Sequence, residues 1–407
     1  ARLRNKPAVR QGSIIPVKAA GRSVPEVITA VATTLHEAML SLHHAHHECH
    51  EHGKKVYLGL VRMANIDPLV AVAKALLQCP SPPGTHIHYC VYHSHHPTGI
   101  RSHIEQHLDR AFDRRETDAL WKLPEVKRAL ASSTDENHLF VVLATSVVEV
   151  GRDWDADWGI LECSSVRSMV QFAGRIQRHR RRVPDSPNIF ILNKNLRALR
   201  RTQLGQAVFC LPGFENPHFR LTSDDVNDVL HEEEYRVISS LPRLIEPPAQ
   251  RSPYSSLTAL EHQHTREVLL GRGQGKLSAA LWWRQPLHWN DELQRRTPFR
   301  RTSPEEQFFL RMEEEYDTPG FYFRDDGPSG WKEAGCFDRA EVEFAAGVSA
   351  WVETDYHAVW LALAEQSDLS LEEVSTRYGE LSLMCSPTEA PQAWCFHPLL
   401  GVFRALD

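Results

Sequence analysis

Hydrophobic positions in the first half of the chain fall into alternating blocks. Ser23-Val24-Pro25-Glu26 has the S-x-x-E spacing of a capping box, with proline tolerated in the first turn. Behind it Val24, Ile28, Val31, Leu35, Met39, Leu42 and Ala45 recur at three- and four-residue steps, which predicts an amphipathic helix. The unbroken apolar run Val56–Val61 predicts a buried strand, and Asp67-Pro68 opens a second helix through about Leu77. Further strands are expected at Ile87–Tyr92, His138–Ala144, Trp158–Cys163 and Asn188–Leu192. Helices are expected from about Gly99 to Phe112, after Pro124, and from Val166 to about Arg181. Near-continuous apolar strands alternating with helices predict an α/β fold, a parallel sheet covered by helices on both faces.

After about Gly213 the texture changes. Asp224, Asp225, Asp228 and Glu232–Glu234 precede Pro242, Pro247, Pro248 and Pro253, the composition of a linker. Helical patterns follow at Leu257–Leu270 and Leu277–Trp283, then a basic turn at Arg295, Arg296, Arg300 and Arg301. The last stretch holds Trp331, Trp351, Trp360 and Trp394 and is expected to form a smaller, mostly helical C-terminal domain. The expected division is residues 1–212 for the α/β domain, 213–300 for a linker with helices, and 301–407 for an accessory domain.

Composition narrows the function. The 407 residues carry 46 Lys and Arg against 52 Asp and Glu, a net charge of −6. That balance excludes a wholly basic nucleic-acid binder but not a local basic patch. No run of about 18 apolar residues exists, so no membrane-spanning helix is expected. The eight cysteines form no C-x-x-C pair, which argues against a disulfide framework or a zinc ribbon and predicts a reducing, cytoplasmic setting. The chain opens Ala-Arg-Leu-Arg, with neither an initiator Met nor an apolar stretch, as expected for part of something longer. His43/His47 and His46/His50 are i,i+4 pairs that suit a metal ion. No H-E-x-x-H accompanies them and the apolar stripe runs straight through, so a solvated helix end is expected and no metal site.

Two strings carry the chemistry. The first, Ala144–Asp155, follows a predicted strand, where open α/β sheets place their ligands. Thr145 offers a hydroxyl and an amide to a phosphate oxygen, Gly151 permits a tight turn, and Asp153 can accept from ribose hydroxyls. The second is Gln171-Phe172-Ala173-Gly174-Arg175-Ile176-Gln177-Arg178-His179-Arg180. On a helix, Gln171, Gly174/Arg175 and Arg178 share one face. Gly174 in mid-helix costs about 1 kcal/mol relative to Ala and implies a packing reason. Two arginines one turn apart match the fork geometry of a triphosphate.

Together the strings resemble motifs V and VI of superfamily-two helicases, T-x-v-x-E-x-G-x-D on Thr145, Glu149, Gly151 and Asp153, and Q-x-x-G-R-x-x-R on Gln171, Gly174, Arg175 and Arg178. In that family they sit on the second RecA-like domain. The resemblance implies that Arg175 and Arg178 are arginine fingers, worth about 10³–10⁵ in rate. Gly151, Asp153, Gln171 and Gly174 would then line the ATP site. Thr145 would meet the nucleic-acid backbone. Val56–Val61 with Arg62 resembles motif IV, and Tyr92-His93-Ser94 before Arg101 and Glu105 resembles the following block, which adds Arg62, His93 and Arg101 to the DNA side.

Among these helicases, Glu149-Val150-Gly151 before Asp153 and Asp155, the Gln171–Arg180 string and the trailing domain resemble the type I CRISPR-associated helicase–nuclease, in its subtype I-F form. That family translocates along displaced single-stranded DNA with ATP and Mg and degrades it with a metal-dependent nuclease. The implied partners are single-stranded DNA, an RNA-guided surveillance complex, the CRISPR adaptation integrase and phage anti-CRISPR inhibitors, with no membrane. The chain contains no G-x-x-x-x-G-K-S/T, no D-E-x-H and no His-Asp nuclease pair. Most ATP contacts and the nuclease metal are therefore expected outside it, and the chain alone is not expected to hydrolyse ATP. A repair or restriction translocase of the same superfamily, and a non-catalytic docking fragment, are the alternatives.

Overall fold

The computed structural model describes residues 8–50, 53–116, 118–203, 205–270, 305–327, 330–352, 355–384 and 393–406. The first half runs β1 (Gly12–Ile15), α1 (Val24–Ala45), β2 (Glu48–Cys49), β3 (Lys55–Arg62), α2 (Ile66–Leu77), β4 (Thr85–Tyr92) and α3 (Thr98–Ala111). It continues with α4 (Ala119–Lys122), α5 (Pro124–Ser132), β5 (Asn137–Ala144), β6 (Trp158–Glu162), α6 (Val166–Ala173), β7 (Ile189–Leu192) and α7 (Leu196–Arg200). Each predicted strand is present. The added edge strand β1 carries too few residues to show a period.

The main sheet has the order β1-β7-β6-β3-β5-β4, every neighbouring pair parallel, with β2 antiparallel beside the start of β3. Alternate residues of β3 face opposite sides. Val56, Leu58 and Leu60 join the core beneath α3, α5 and α6. Tyr57 and Val61 join the core beneath α1 and α2. Both faces of the sheet are thus covered, which is why its strands read as continuous apolar runs. The capping box at Ser23 and Glu26 starts α1 as its spacing predicts.

Helix α6 is shorter than its periodicity predicts. It stops at Ala173, with Gly174 as its C-cap rather than a mid-helix residue. Gln177 and Arg181 take positive φ, and Ala156 bridges to Ile176. The cause is electrostatic and distant in sequence. Arg180 is drawn to Asp155 and Asp157, two carboxylates sealed from water, and the chain must turn to deliver it. Gln171, Arg175 and Arg178 therefore do not share one helix face.

Residues 213–256 hold three one-turn helices, α8 (Val226–Val229), α9 (Glu232–Tyr235) and α10 (Leu241–Leu244), and α11 (Leu257–Leu270) follows with the predicted bounds. The predicted helix at Leu277–Trp283 and the basic turn at Arg295–Arg301 lie outside the described residues. Beyond them come β8 (Glu305–Arg311), β9 (Gly320–Arg324), β10 (Trp331–Glu333), β11 (Phe337–Arg339), β12 (Val348–Ala350), α12 (Tyr356–Ser367), α13 (Leu371–Tyr378), β13 (Glu380–Met384), β14 (Trp394–His397) and β15 (Gly401–Phe403).

This part is not mostly helical. Its described residues form a four-stranded sheet, β10-β9-β8-β13, and a three-stranded one, β11-β14-β15, beside two helices. Short aromatic runs such as Phe321-Tyr322-Phe323 favour a pleated, half-buried surface and are too brief to reveal their period. Nor does it stand apart from the first half. Strand β12 pairs in parallel with β4, Val348 opposite Ile87, and completes the main sheet. The β14–β15 hairpin lies over the loop after β4, where Leu400 O is 2.8 Å from His93 Nε2.

Candidate nucleotide and nucleic-acid site

Strand β5 ends at Ala144, and the chain passes through Thr145 into a single 3₁₀ turn, Ser146–Val148. Gly151 has φ +72°, so the tight turn that glycine was expected to permit is present. Several side chains fasten this turn. Arg175 spends its whole guanidinium on it, donating to the carbonyls of Val148 at 3.2 Å, Glu149 at 2.6 Å and Arg152. Arg152 reaches Glu105 at 2.6 Å and the Tyr92 hydroxyl at 2.9 Å. Trp154 Nε1 donates to Asp109 at 2.6 Å.

Arg178 is placed differently. It is 42% exposed and pairs with Asp153, a carboxylate that Arg115 also contacts and that lies 3.3 Å from His179 Nε2. The Arg178 hydrogen bond holds the Asp153 carboxyl below its usual range. Arg10 stands close by, its guanidinium pKa lowered first by burial and then by the charges of Arg178 and Arg181, against the opposing charge of Asp155. Ion pairs this exposed contribute about 0–1 kcal/mol, so a stronger anion displaces them readily.

Two expected DNA contacts are buried instead. Arg62 is 1% exposed, pairs with Glu149 at 2.7 Å, and donates to Glu162 O at 3.0 Å and Ser164 Oγ at 3.2 Å. It anchors the turn from beneath and does not face solvent. His93 is fully buried, held by Leu400 O and by the His95 amide at 3.1 Å, and burial pushes its imidazole well down. Arg101 is half-exposed on α3 beside Glu105. Thr145 lines a polar cleft at the carboxyl ends of the strands together with Ser94, Ser146, Arg197, Arg200 and Arg404. Gly151, Asp153, Arg175 and Arg178 come together, while Gln171 is half-buried on the last turn of α6.

Sequence reasoning missed Arg114 and Arg115, on the loop after α3 where no period marks a charge. Arg114 contacts Glu48 at 2.8 Å and Asp157 at 3.6 Å, and Arg180 reaches Asp157 at 2.5 Å. Burial alone would raise the Asp157 carboxyl, but Arg180 and Arg114 outweigh it and hold it down. Among the described residues no group of three or more His, Cys, Asp or Glu side chains is arranged to hold a metal ion. His43 instead packs its ring 4.0 Å from Tyr57 and lies 2.8 Å from Asn137.

Fold and site define a parallel α/β layer with a polar cleft at its strand ends and an appended C-terminal part. Residues 55–181 match the family model described as CRISPR-associated nuclease/helicase Cas3, C-terminal. Residues 331–404 match the CRISPR-associated Cas3 subtype I-F/YPEST-like, C-terminal domain. The chain is 48% identical to the CRISPR-associated nuclease/helicase Cas3 subtype I-F/YPEST of Pectobacterium atrosepticum, over 98% of this chain and 36% of the relative. It is 37% identical to the protein of that name from Pseudomonas aeruginosa, over 98% of this chain and 37% of the relative. A structure of T. fusca Cas3-AMPPNP matches loosely, with TM-score 0.45 and 13% identity over 98% of this chain and 42% of that one. Two stretches of the chain thus match Cas3 C-terminal family models, the second of the subtype I-F/YPEST-like kind, and the chain spans about a third of the length of the curated relatives it matches.

Proposed function

We propose that this chain supplies the arginine finger and part of the DNA track of an ATP-driven single-stranded DNA translocase and nuclease acting in type I CRISPR interference. One observation carries the reading: the Arg178 side chain is exposed and, among the described residues, pairs with the exposed carboxylate of Asp153, whereas Arg175 is fully committed to the turn. A triphosphate fits these residues. Arg178 and Arg115 share Asp153, and a Cβ built on Gly151 would meet no atom within 4 Å, so the turn stands open. ATP with Mg would supply the phosphoryl-transfer chemistry when bound. Arg178 would neutralise charge developing on the transferred group, and Arg175 would hold the turn at a fixed place. Asp153, Gln171 and Gly174 would form the rim.

The DNA contact passes from Arg62 and His93 to the cleft that Thr145 lines. Its hydroxyls and the guanidiniums of Arg197, Arg200 and Arg404 suit a phosphate backbone, and Arg101 adds a cation on α3. Residues 1–212, 213–300 and 301–407 are read as helicase layer, linker and accessory part. The whole protein would act in the cytoplasm, in keeping with described cysteines that are all free. No helix among the described residues is long and apolar enough to cross a membrane. An RNA-guided surveillance complex is the partner that would present the displaced strand, with the adaptation integrase and anti-CRISPR inhibitors as further partners.

The test is ATP hydrolysis by the full-length protein with and without single-stranded DNA. Strong stimulation by DNA, abolished in Arg178→Ala, is expected. Hydrolysis that ignores DNA, or that survives the loss of Arg178, would favour the docking role instead.

A further inference from the structure

Helix α11 follows the α/β layer in the chain and packs against the start of α6. Its Glu261 is buried, and its carboxylate accepts the backbone N–H of Val166 at Oε1 and that of Arg167 at both oxygens, each at 3.3 Å. These are first-turn donors that no residue of α6 can satisfy. Ser165 takes the next one, accepting from the Ser168 amide at 3.1 Å. A carboxylate in this position also complements the helix dipole.

The other end of α6 is the arginine turn. Gly174 caps it, Arg175 follows and grips the loop after β5, and Arg178 lies three residues on. Ser168, one turn into α6, donates to Glu149 of that same loop. Eight hydrogen-bonded residues make a stiff rod about 12 Å long, so a displacement at its start reaches its end.

We propose that Glu261 is a positioning residue for the arginine turn: by capping α6 from the helix beyond the α/β layer, it sets the place of Arg175 and Arg178 and couples that place to the linker. The proposal rests on the reading of Arg178 as the residue that serves ATP hydrolysis.

The charge state of Glu261 makes the coupling testable. Burial pushes its carboxyl up to about 7, against the amides of Arg167 and Val166 and the guanidiniums of Arg243 and Arg167. The other groups on the surrounding elements are His262, whose ring meets Pro242 O at 2.9 Å, Cys163 after β6, and Arg266, which pairs with Glu246. An acid raised in the fold binds protons more readily there than in the unfolded chain. Its contribution to stability therefore improves as pH falls through about 7 and is poorest above it, where the carboxylate is charged.

The experiment measures kcat and KM for DNA-stimulated ATP hydrolysis by the full-length protein and its Glu261→Gln variant at pH 6 and pH 8, with thermal unfolding of both. At pH 8 the variant is expected to lose kcat several-fold, with KM changed less and no loss of melting temperature. At pH 6, where the wild-type carboxyl is protonated, the two kcat values should converge. Equal kcat at pH 8, or an equal deficit at both pH values with a lowered melting temperature, would overturn the proposal. Loss of activity in Arg178→Ala beside an unaffected Glu261→Gln would remove this inference alone; full activity in Arg178→Ala would remove the reading beneath it.

Discussion

Arg62 Nε lies 2.7 Å from Glu149 Oε1, with 1% and 6% of the two side chains exposed. The pair joins the end of β3 to the turn after β5, so a residue expected on the DNA surface instead supports the turn from below. Removing one partner strands the other charge in the interior, at a cost of about 3–5 kcal/mol. Arg62→Met is expected to lower the free energy of unfolding by that amount, and Arg62→Met/Glu149→Leu by less than the sum of the single changes. Urea unfolding in a double-mutant cycle measures both. If Arg62 touched phosphate, its loss would instead lower the salt slope of DNA binding by about one.

The histidines of β4 and its following loop give the second prediction. Burial pushes His88 down to about 2 and His96 to about 3, and on β5 His138 to about 4. All three have an ordinary value of 6.5, so the unfolded chain takes up protons more readily than the fold. Their contribution is complete above pH 6.5 and is lost as pH falls toward about 4. His88 Nδ1 lies 2.9 Å from Ser349 Oγ, so its protonation should loosen β12 at the acid end of the decline. Melting temperature against pH should show the decline, and His88→Gln should flatten it. A wild-type curve level between pH 7 and pH 4 would contradict the assignment.

Gly401 gives a third. Its φ is +70°, and a Cβ there would stand 2.8 Å from both His93 Cε1 and His95 O. Gly401→Ala is expected to cost about 1–3 kcal/mol and to lift the β14–β15 hairpin from the loop after β4. Amide exchange at Val402, whose N–H donates to His95 O at 2.8 Å, should accelerate in the variant. Unchanged protection there would show that the hairpin is held elsewhere.

These same contacts explain what the sequence could and could not reveal. The parallel sheet was legible because Val56–Val61 and His138–Ala144 are unbroken apolar runs, and α1 because its cap and stripe are local. Gly151 announced its turn by lacking a side chain. The end of α6 was hidden, since Phe172, Ala173 and Ile176 keep a helical period and only Asp155 and Asp157 pull Arg180 away. His93 could not be read as buried, because Leu400, which covers it, lies 307 residues further along the chain. Strand β12 joins β4 by another long-range pairing, Val348 opposite Ile87.

In the proposed function two neighbouring arginines divide the labour, Arg178 open to a ligand and Arg175 bound to the turn. The most direct test compares Arg178→Ala and Arg175→Ala in the full-length protein, measuring kcat for ATP hydrolysis at saturating ATP and single-stranded DNA together with thermal unfolding. Arg178→Ala is expected to melt like the wild type yet to lose about 10³-fold or more in kcat, while Arg175→Ala is expected to melt at a lower temperature. Wild-type turnover in Arg178→Ala, with turnover lost in an Arg175→Ala protein of undiminished stability, would contradict this division.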